Sequence, residues 1–313
     1  MAQIIGGLAT SHAPQLLMPA LQWSDLPTRT KGPFNPKPDI AKDLTDEAKL
    51  ANQARCNKAI GALRAQLEAW APDAVIVMGD DQHENILDDN QPPFLIYLAP
   101  ETDATLHFNY LGVKSTDQMT RYPVASALGM QLYHGLSDEG FDIAWSRKNR
   151  EEYGLGHAFG RALDFLMPLK KFPIVPLMVN TYYPPAPSAK RCLNLGKALR
   201  RVIEGLPGEA RIALVASGGL SHTVIDEALD AAFIKALETH DESYYASMPA
   251  DVLVEGTSEI RNWIILAGAM GRGGKMIDYV PCYRQPTGVG CAMGFAVWNQ
   301  PDLFPLRPGG RRG

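Results

Sequence analysis

Five short apolar runs set the limits on how this chain can fold: Ile4–Leu8, Ala74–Met78, Ile174–Val179, Ile212–Ala216 and Gly294–Trp298. Most are rich in Val, Ile or Leu, as suits strands covered on both faces of a sheet. Amphipathic stretches lie between them. Thr45–Trp70 carries Leu50, Ala54, Ile60, Leu63 and Leu67 at near-helical spacing, and Asp46 and Glu47 suit the positive end of its dipole. Ser188–Ile203 and Asp226–Glu238 follow the same pattern. Strands alternating with helices predict a layered α/β/α sandwich around a central mostly parallel or mixed sheet. No repeat or linker interrupts the pattern, so residues 1–300 read as one catalytic domain and 301–313 as a disordered tail. Two proline-rich segments, Trp23–Asp39 and Tyr182–Pro187, read as loops; the first follows His12 closely enough to wall a site.

Composition narrows the function classes. The 313 residues are 46% hydrophobic and 20% charged, with a net charge of −4, which offers no attraction for nucleic acid or an anionic membrane. No apolar run approaches the roughly 20 residues that span a bilayer, and the N-terminus lacks the basic start of a signal peptide. The four cysteines, Cys56, Cys192, Cys282 and Cys291, are scattered and form no CxxC pair. The expectation is a cytoplasmic protein with reduced thiols.

The chemistry points to histidine. Of seven in the chain, three directly follow an apolar strand: His12 in Ala9-Thr10-Ser11-His12, His83 in Gly79-Asp80-Asp81-Gln82-His83-Glu84, and His222 in Ser217-Gly218-Gly219-Leu220-Ser221-His222. Ligands of α/β sheets bind at the carboxyl ends of strands. Three strands would bring these imidazoles to one edge of the sheet, provided that they are parallel and adjacent. Any one of the three alone could be a polar turn residue. Asp80, Asp81 and Glu84 could orient His83 by accepting its second N–H, or form a solvated turn. His134 and His240 read as surface helix residues, and His107 is undecided. GxSxG, a Walker A sequence and HExxH are all absent, and Gly271-Arg272-Gly273-Gly274 lacks the strand–turn–helix context of a phosphate loop.

Four segments in order carry a resemblance: Ser11-His12-Ala13-Pro14, the Gly79–Glu84 turn, Ser217–His222 and Glu259-Ile260-Arg261-Asn262-Trp263-Ile264. With Val179-Asn180-Thr181 and Pro187–Cys192, they resemble the class III extradiol ring-cleavage dioxygenases, nearest the catalytic β subunit of protocatechuate 4,5-dioxygenase and its gallate and methylgallate relatives. The resemblance runs from residue 4 to about 298. It implies a mononuclear non-haem Fe(II) held by His12, His83 and Glu259, with His222 as an acid/base histidine. It further implies a catechol-type aromatic substrate, O2 as co-substrate and a homodimer. The family's further active-site histidine is matched best by His157. There Gly156 stands where an aspartate is expected, so His157 would lack a carboxylate neighbour; an offset match would place Tyr153 there instead.

Two histidines and a carboxylate on one face of Fe(II) leave positions open for a diol and O2. A histidine suits proton transfer because its pKa lies near working pH. Glu259 taken alone reads as a solvated helix residue before the apolar run that starts at Trp263, and only the resemblance makes it a ligand. Two other readings stay open: a zinc hydrolase on the same residues, and a non-catalytic binding protein of the same fold.

Overall fold

The computed structural model describes residues 1–27, 37–106, 119–150 and 153–299. His107, the middle of the first proline-rich loop and the 301–313 tail lie outside the described residues. Eleven strands and seven α-helices are described. In the first half they are β1 (Gln3–Thr10), α1 (Asp46–Trp70), β2 (Ala74–Gly79), β3 (Phe94–Tyr97), β4 (Glu101–Thr105), β5 (Met119–Pro123), α2 (Ser126–Asp138), β6 (Ala144–Ser146) and α3 (His157–Leu166). The second half has β7 (Ile174–Val179), α4 (Ala189–Gly205), β8 (Arg211–Ser217), β9 (His222–Val224), α5 (Glu227–Thr239), α6 (Glu242–Ser247), α7 (Ile260–Met270), β10 (Lys275–Tyr283) and β11 (Val289–Asn299).

The helices begin where their side chains can satisfy orphan N–H groups. Thr45 accepts from Ala48 N–H, Ser188 from Arg191 N–H, and Asp226 from Ala228 and Leu229 N–H. These three caps are the residues at which the amphipathic patterns start.

The central sheet is mixed and runs β10-β11-β1-β8-β2-β7-β3-β6, with β9 pairing to β11. Its middle strands β1, β8, β2 and β7 are mutually parallel, whereas β11 and β3 run antiparallel to their neighbours β1 and β7. The condition on the strand-end histidines is therefore met: β1, β8 and β2 are adjacent and parallel, so the segments after them leave the sheet at one edge. Strand alternation builds two cores. Ile4, Ile76 and Leu214 face α2, α4, α5 and α7, while Ile5, Val75 and Val77 face α1 and α3. Burial on both faces explains why these strands read as continuous apolar runs.

The layers pack closely enough to require glycine. A Cβ on Gly6 of β1 would lie 2.4 Å from the Trp70 ring, and one on Gly196 of α4 would lie 2.1 Å from the Ile265 carbonyl of α7. The second contact sets the depth of α7, whose first turn carries Glu259. Gly196→Val should force α4 and α7 apart and cost about 1–3 kcal/mol, measured by denaturant unfolding; an unchanged midpoint would show that the backbone approach is not tight.

Candidate metal and catalytic site

His12 leaves the end of β1 and is buried. Its Nδ1 lies 2.9 Å from Ser217 Oγ, at the end of neighbouring β8, and that hydroxyl lies 2.5 Å from the Ala158 carbonyl. A serine has one proton to give, and a carbonyl can only accept. Ser217 therefore donates to Ala158, and His12 Nδ1 carries the proton donated to Ser217. In the neutral ring the lone pair is then on Nε2, which lies 3.4 Å from Glu259 Oε1.

Glu259 sits in the last residue of a 3-10 turn, Glu255–Glu259, that leads into α7, and it is 2% exposed. Its Oε2 accepts the Gly219 N–H at 2.8 Å. Its Oε1 also lies 3.3 Å from His222 Nε2. Burial alone would raise Glu259, but the His12 and His222 rings outweigh it and hold the carboxyl well below its usual range.

Asp80, the first residue after β2, is the third member. It is fully buried; its Oδ2 accepts from Gln82 Nε2 at 3.1 Å, and its Oδ1 has no partner among the described residues. Burial and the Glu259 carboxylate push Asp80 up to about 7. One ligand atom each of His12, Asp80 and Glu259 lies within 4.8 Å of the others. Two carboxylates and an imidazole lone pair converging in the interior are unfavourable without a cation. The orphaned Oδ1 and the oriented Nε2 make this donor set a fit for a divalent metal ion.

The structure does not bring His83 to this group. Its ring stacks on Tyr183 with centroids 3.6 Å apart, and its Nε2 lies 3.3 Å from Asp88. The cause is the turn after β2, which winds around Asp81. That carboxylate accepts the backbone N–H groups of Glu84, Asn85 and Ile86. The winding holds His83 at a positive φ of 62°. Asp80, Asp81 and Glu84 therefore do not orient His83; they have separate roles.

Glu84 corrects a second expectation, that His157 has no carboxylate beside it. Glu84 Oε1 accepts both the backbone N–H of His157, at 2.8 Å, and its ring Nδ1–H, at 2.9 Å. The carboxylate comes from 73 residues away in the chain. Gly156 is what admits it, since a Cβ there would lie 2.4 Å from Glu84 Oε2. Burial lowers the His157 pKa in spite of Glu84, which favours the neutral ring. His157 packs edge-on against His12, centroids 5.3 Å apart, and lines the same cavity. Tyr153, the offset alternative, is instead placed 5.6 Å under the Arg150 guanidinium.

His222 belongs to β9, which pairs with β11 and so folds back over the strand ends. Its N–H donates to Thr257 Oγ1 and its Nδ1–H to the Leu220 carbonyl, which turns Nε2 toward Glu259. The preceding Ser221 is fastened by backbone and hydroxyl to Asp230, which also accepts from Tyr279. Burial disfavours the charged ring, yet Cys291 and Glu259 raise the His222 pKa well above its usual value.

These groups open onto one cavity of about 290 Å³, lined also by Gln82, Arg161, Tyr182 and Arg284. That is near the lower end of small-molecule pockets, roughly 300–1,000 Å³, and suits one aromatic ring. Arg261 braces one wall by donating to the carbonyls of Thr181, Pro187 and Leu253. His134 and His240 lie outside this cavity lining. Sequence reasoning passed over Asp80 as a ligand; its position as the first residue beyond a buried strand was the available signal.

The family profile described as the catalytic LigB subunit of aromatic ring-opening dioxygenase matches residues 40–294, and the chain belongs to that family. Among curated relatives, a 2,3-dihydroxyphenylpropionate/2,3-dihydroxicinnamic acid 1,2-dioxygenase 2 of Pseudomonas putida is 31% identical over 61% of this chain and 52% of its own length. A Comamonas testosteroni 2,3-dihydroxyphenylpropionate/2,3-dihydroxicinnamic acid 1,2-dioxygenase is 32% identical over 55% and 50%, and a gallate dioxygenase of Pseudomonas putida 32% over 46% and 45%. The chain thus spans about half the length of the curated relatives it matches. The fold is similar to the crystal structure of uncharacterized protein JW3007 from Escherichia coli K12, with a TM-score of 0.54, 16% identity and 94% and 99% of the two chains covered. Among the described residues no helix is long and apolar enough to cross a membrane.

A raised carboxyl costs the metal-free fold stability as pH climbs from the ordinary Asp range through about 7, and the cost is complete above that. At pH 8, Asp80→Asn should therefore stabilise the metal-free protein by about 1–4 kcal/mol while abolishing the rise in melting temperature on adding a divalent cation. Melting curves with chelator and with metal read both effects. A variant that still gains the wild-type metal shift would remove Asp80 from the site.

Proposed function

We propose that this chain cleaves the aromatic ring of a catechol-type substrate beside its hydroxyls, using O2 and Fe(II). The observation that carries the reading is the buried His12–Asp80–Glu259 cluster on a ring-sized cavity lined by two further imidazoles. Membership of the LigB family supports the ring-opening chemistry. His12, Asp80 and Glu259 are the proposed ligands. Asp80 replaces His83 in that role because it is the buried, orphaned donor beside the other two. When bound, Fe(II) would chelate the diol oxygens and let electron density pass to O2, which is otherwise slow to react with ordinary organic molecules.

The chain's own groups handle the protons. His222 lines the cavity with Nε2 toward Glu259; a cation held by that carboxylate would weaken the pairing that keeps the ring protonated, so that the ring could then accept a hydroxyl proton as the diol binds and return it. His157, oriented by Glu84 and favoured in its neutral form, lines the same cavity as a second imidazole. Burial raises the Tyr182 pKa, so this wall residue stays a protonated phenol.

Purified protein loaded with Fe(II) should take up O2 when given dihydroxybenzenes and yield ring-opened acids absorbing at long wavelength. His222→Ala should keep its iron and lose about 10²–10⁴-fold in turnover, whereas His12→Ala and Glu259→Ala should lose the iron. An oxygen electrode and metal analysis decide between these outcomes. Bound zinc with no O2 uptake across a catechol panel would leave the hydrolase reading in its place.

A further inference from the structure

Three of the four cysteines, far apart in the sequence, gather behind the cavity wall. Cys56 of α1 and Cys282 of β10 are buried, and their Sγ atoms lie 3.9 Å apart. Cys282 stands directly opposite Cys291 of β11 in the antiparallel pairing. Opposite residues of such a pair project from one face, with Cβ atoms roughly 4.5–5.5 Å apart. All three belong to the core on the α1 and α3 side of the sheet. Cys291 lines the cavity, and its side chain lies against the His222 ring. The fourth, Cys192 of α4, lies in the other core.

Packing accounts for any one of these thiols as a small apolar group. Their order is a separate matter: one stands at the cavity, one behind it, and the last in contact with the second. Closing the Cys56–Cys282 gap to the roughly 2.05 Å of a disulfide asks about 1 Å of each side chain. The Cα spacing of directly opposite residues, roughly 4.5–5.5 Å, also falls in the range that a disulfide spans. Burial and the Cys56 thiol hold the Cys282 pKa well above its usual value. Cys282 therefore does not meet an oxidant as a free thiolate. What it can do is attack a neighbouring sulfur that is already oxidised, a step that proximity favours.

We propose that Cys291, Cys282 and Cys56 form an oxidation site for hydrogen peroxide, which ends as a Cys56–Cys282 disulfide. Cys291 Sγ takes one peroxide oxygen, giving a sulfenic acid and one water. Cys282 Sγ attacks that sulfur, the S–O bond breaks, a Cys282–Cys291 disulfide forms and a second water leaves. Cys56 Sγ then displaces Cys291 from Cys282, and the Cys56 proton passes to Cys291, which is a thiol again. In sum two thiols give two electrons and two protons to one peroxide. The site removes peroxide from beside His222 and restores the cavity thiol. It is independent of the ring-cleavage reading, since neither a diol nor a metal takes part.

The test is thiol mapping on the intact chain, with chelator present so that iron and peroxide generate no radicals. Hydrogen peroxide, at a level that oxidises free cysteine, should lower the titratable thiols from four to two. Mass spectra should join the Cys56 and Cys282 peptides and leave Cys192 and Cys291 free, and dithiothreitol should restore all four. Cys291→Ala should slow the bridging at least tenfold, and Cys282→Ala should leave Cys291 to proceed to sulfinic acid. A wild type that keeps every thiol, that stops at a Cys282–Cys291 bridge, or that loses Cys291 to sulfinic acid with the other two free overturns the inference. Bridging at an undiminished rate in a folded Cys291→Ala overturns the cavity thiol as the point of entry. The wild-type map decides the matter by itself if the variants do not fold.

Discussion

Glu259 Oε1 faces the Nε2 atoms of two imidazoles, with the Asp80 carboxylate close by, in a buried cluster beside the cavity. The Asp80 and Glu259 carboxylates would separate if left to themselves, because like charges repel in a poorly solvated interior. The groups of the cluster are held by bonds made on their far sides. Ser217 fixes His12, the Gly219 N–H fixes Glu259, the Leu220 carbonyl fixes His222, and Gln82 fixes Asp80. Each holding atom lies at or just beyond the end of β8 or β2. The sheet thus acts as a jig whose stiffness keeps a cation-shaped gap open.

That arrangement explains why glycine recurs where the layers meet. α7 delivers Glu259 from one side of the sheet, and it can reach the strand ends only because α4 and α7 approach through Gly196 and Gly268. On the other side, α3 delivers His157 and Arg161. Its entry at Gly156 lets a carboxylate from the β2 turn pass behind the ring. Helices on opposite faces therefore contribute to one cavity at the sheet edge.

The turn after β2 shows how much chemistry depends on one residue of phase. Along Asp80–Glu84 the chain offers three carboxylates, an amide and an imidazole in five consecutive positions. Winding around Asp81 sends Asp80 to the cluster, Gln82 to the cavity, Glu84 behind His157 and His83 to the face of Tyr183. With two carboxylates, the cluster would neutralise a divalent ion in full.

Strands, helix caps and the layered sheet were legible in the sequence because burial, periodicity and N-capping act over a few residues and leave their record in the residues themselves. His12, His222 and the place of β1, β8 and β2 at one edge followed from the same local signals, and Glu259 came only with the family resemblance. The fate of His83, the partnership of Glu84 with Gly156–His157 and the bonding of Arg161 did not follow. Each is settled by bonds between residues far apart in the chain, such as Asn85 Nδ2 to the Gly154 carbonyl and Arg161 Nη1 to the His12 carbonyl. In an irregular turn no repeat dictates which way a side chain points. The tertiary structure decided where these side chains go because only there do distant donors and acceptors compete for the same buried space.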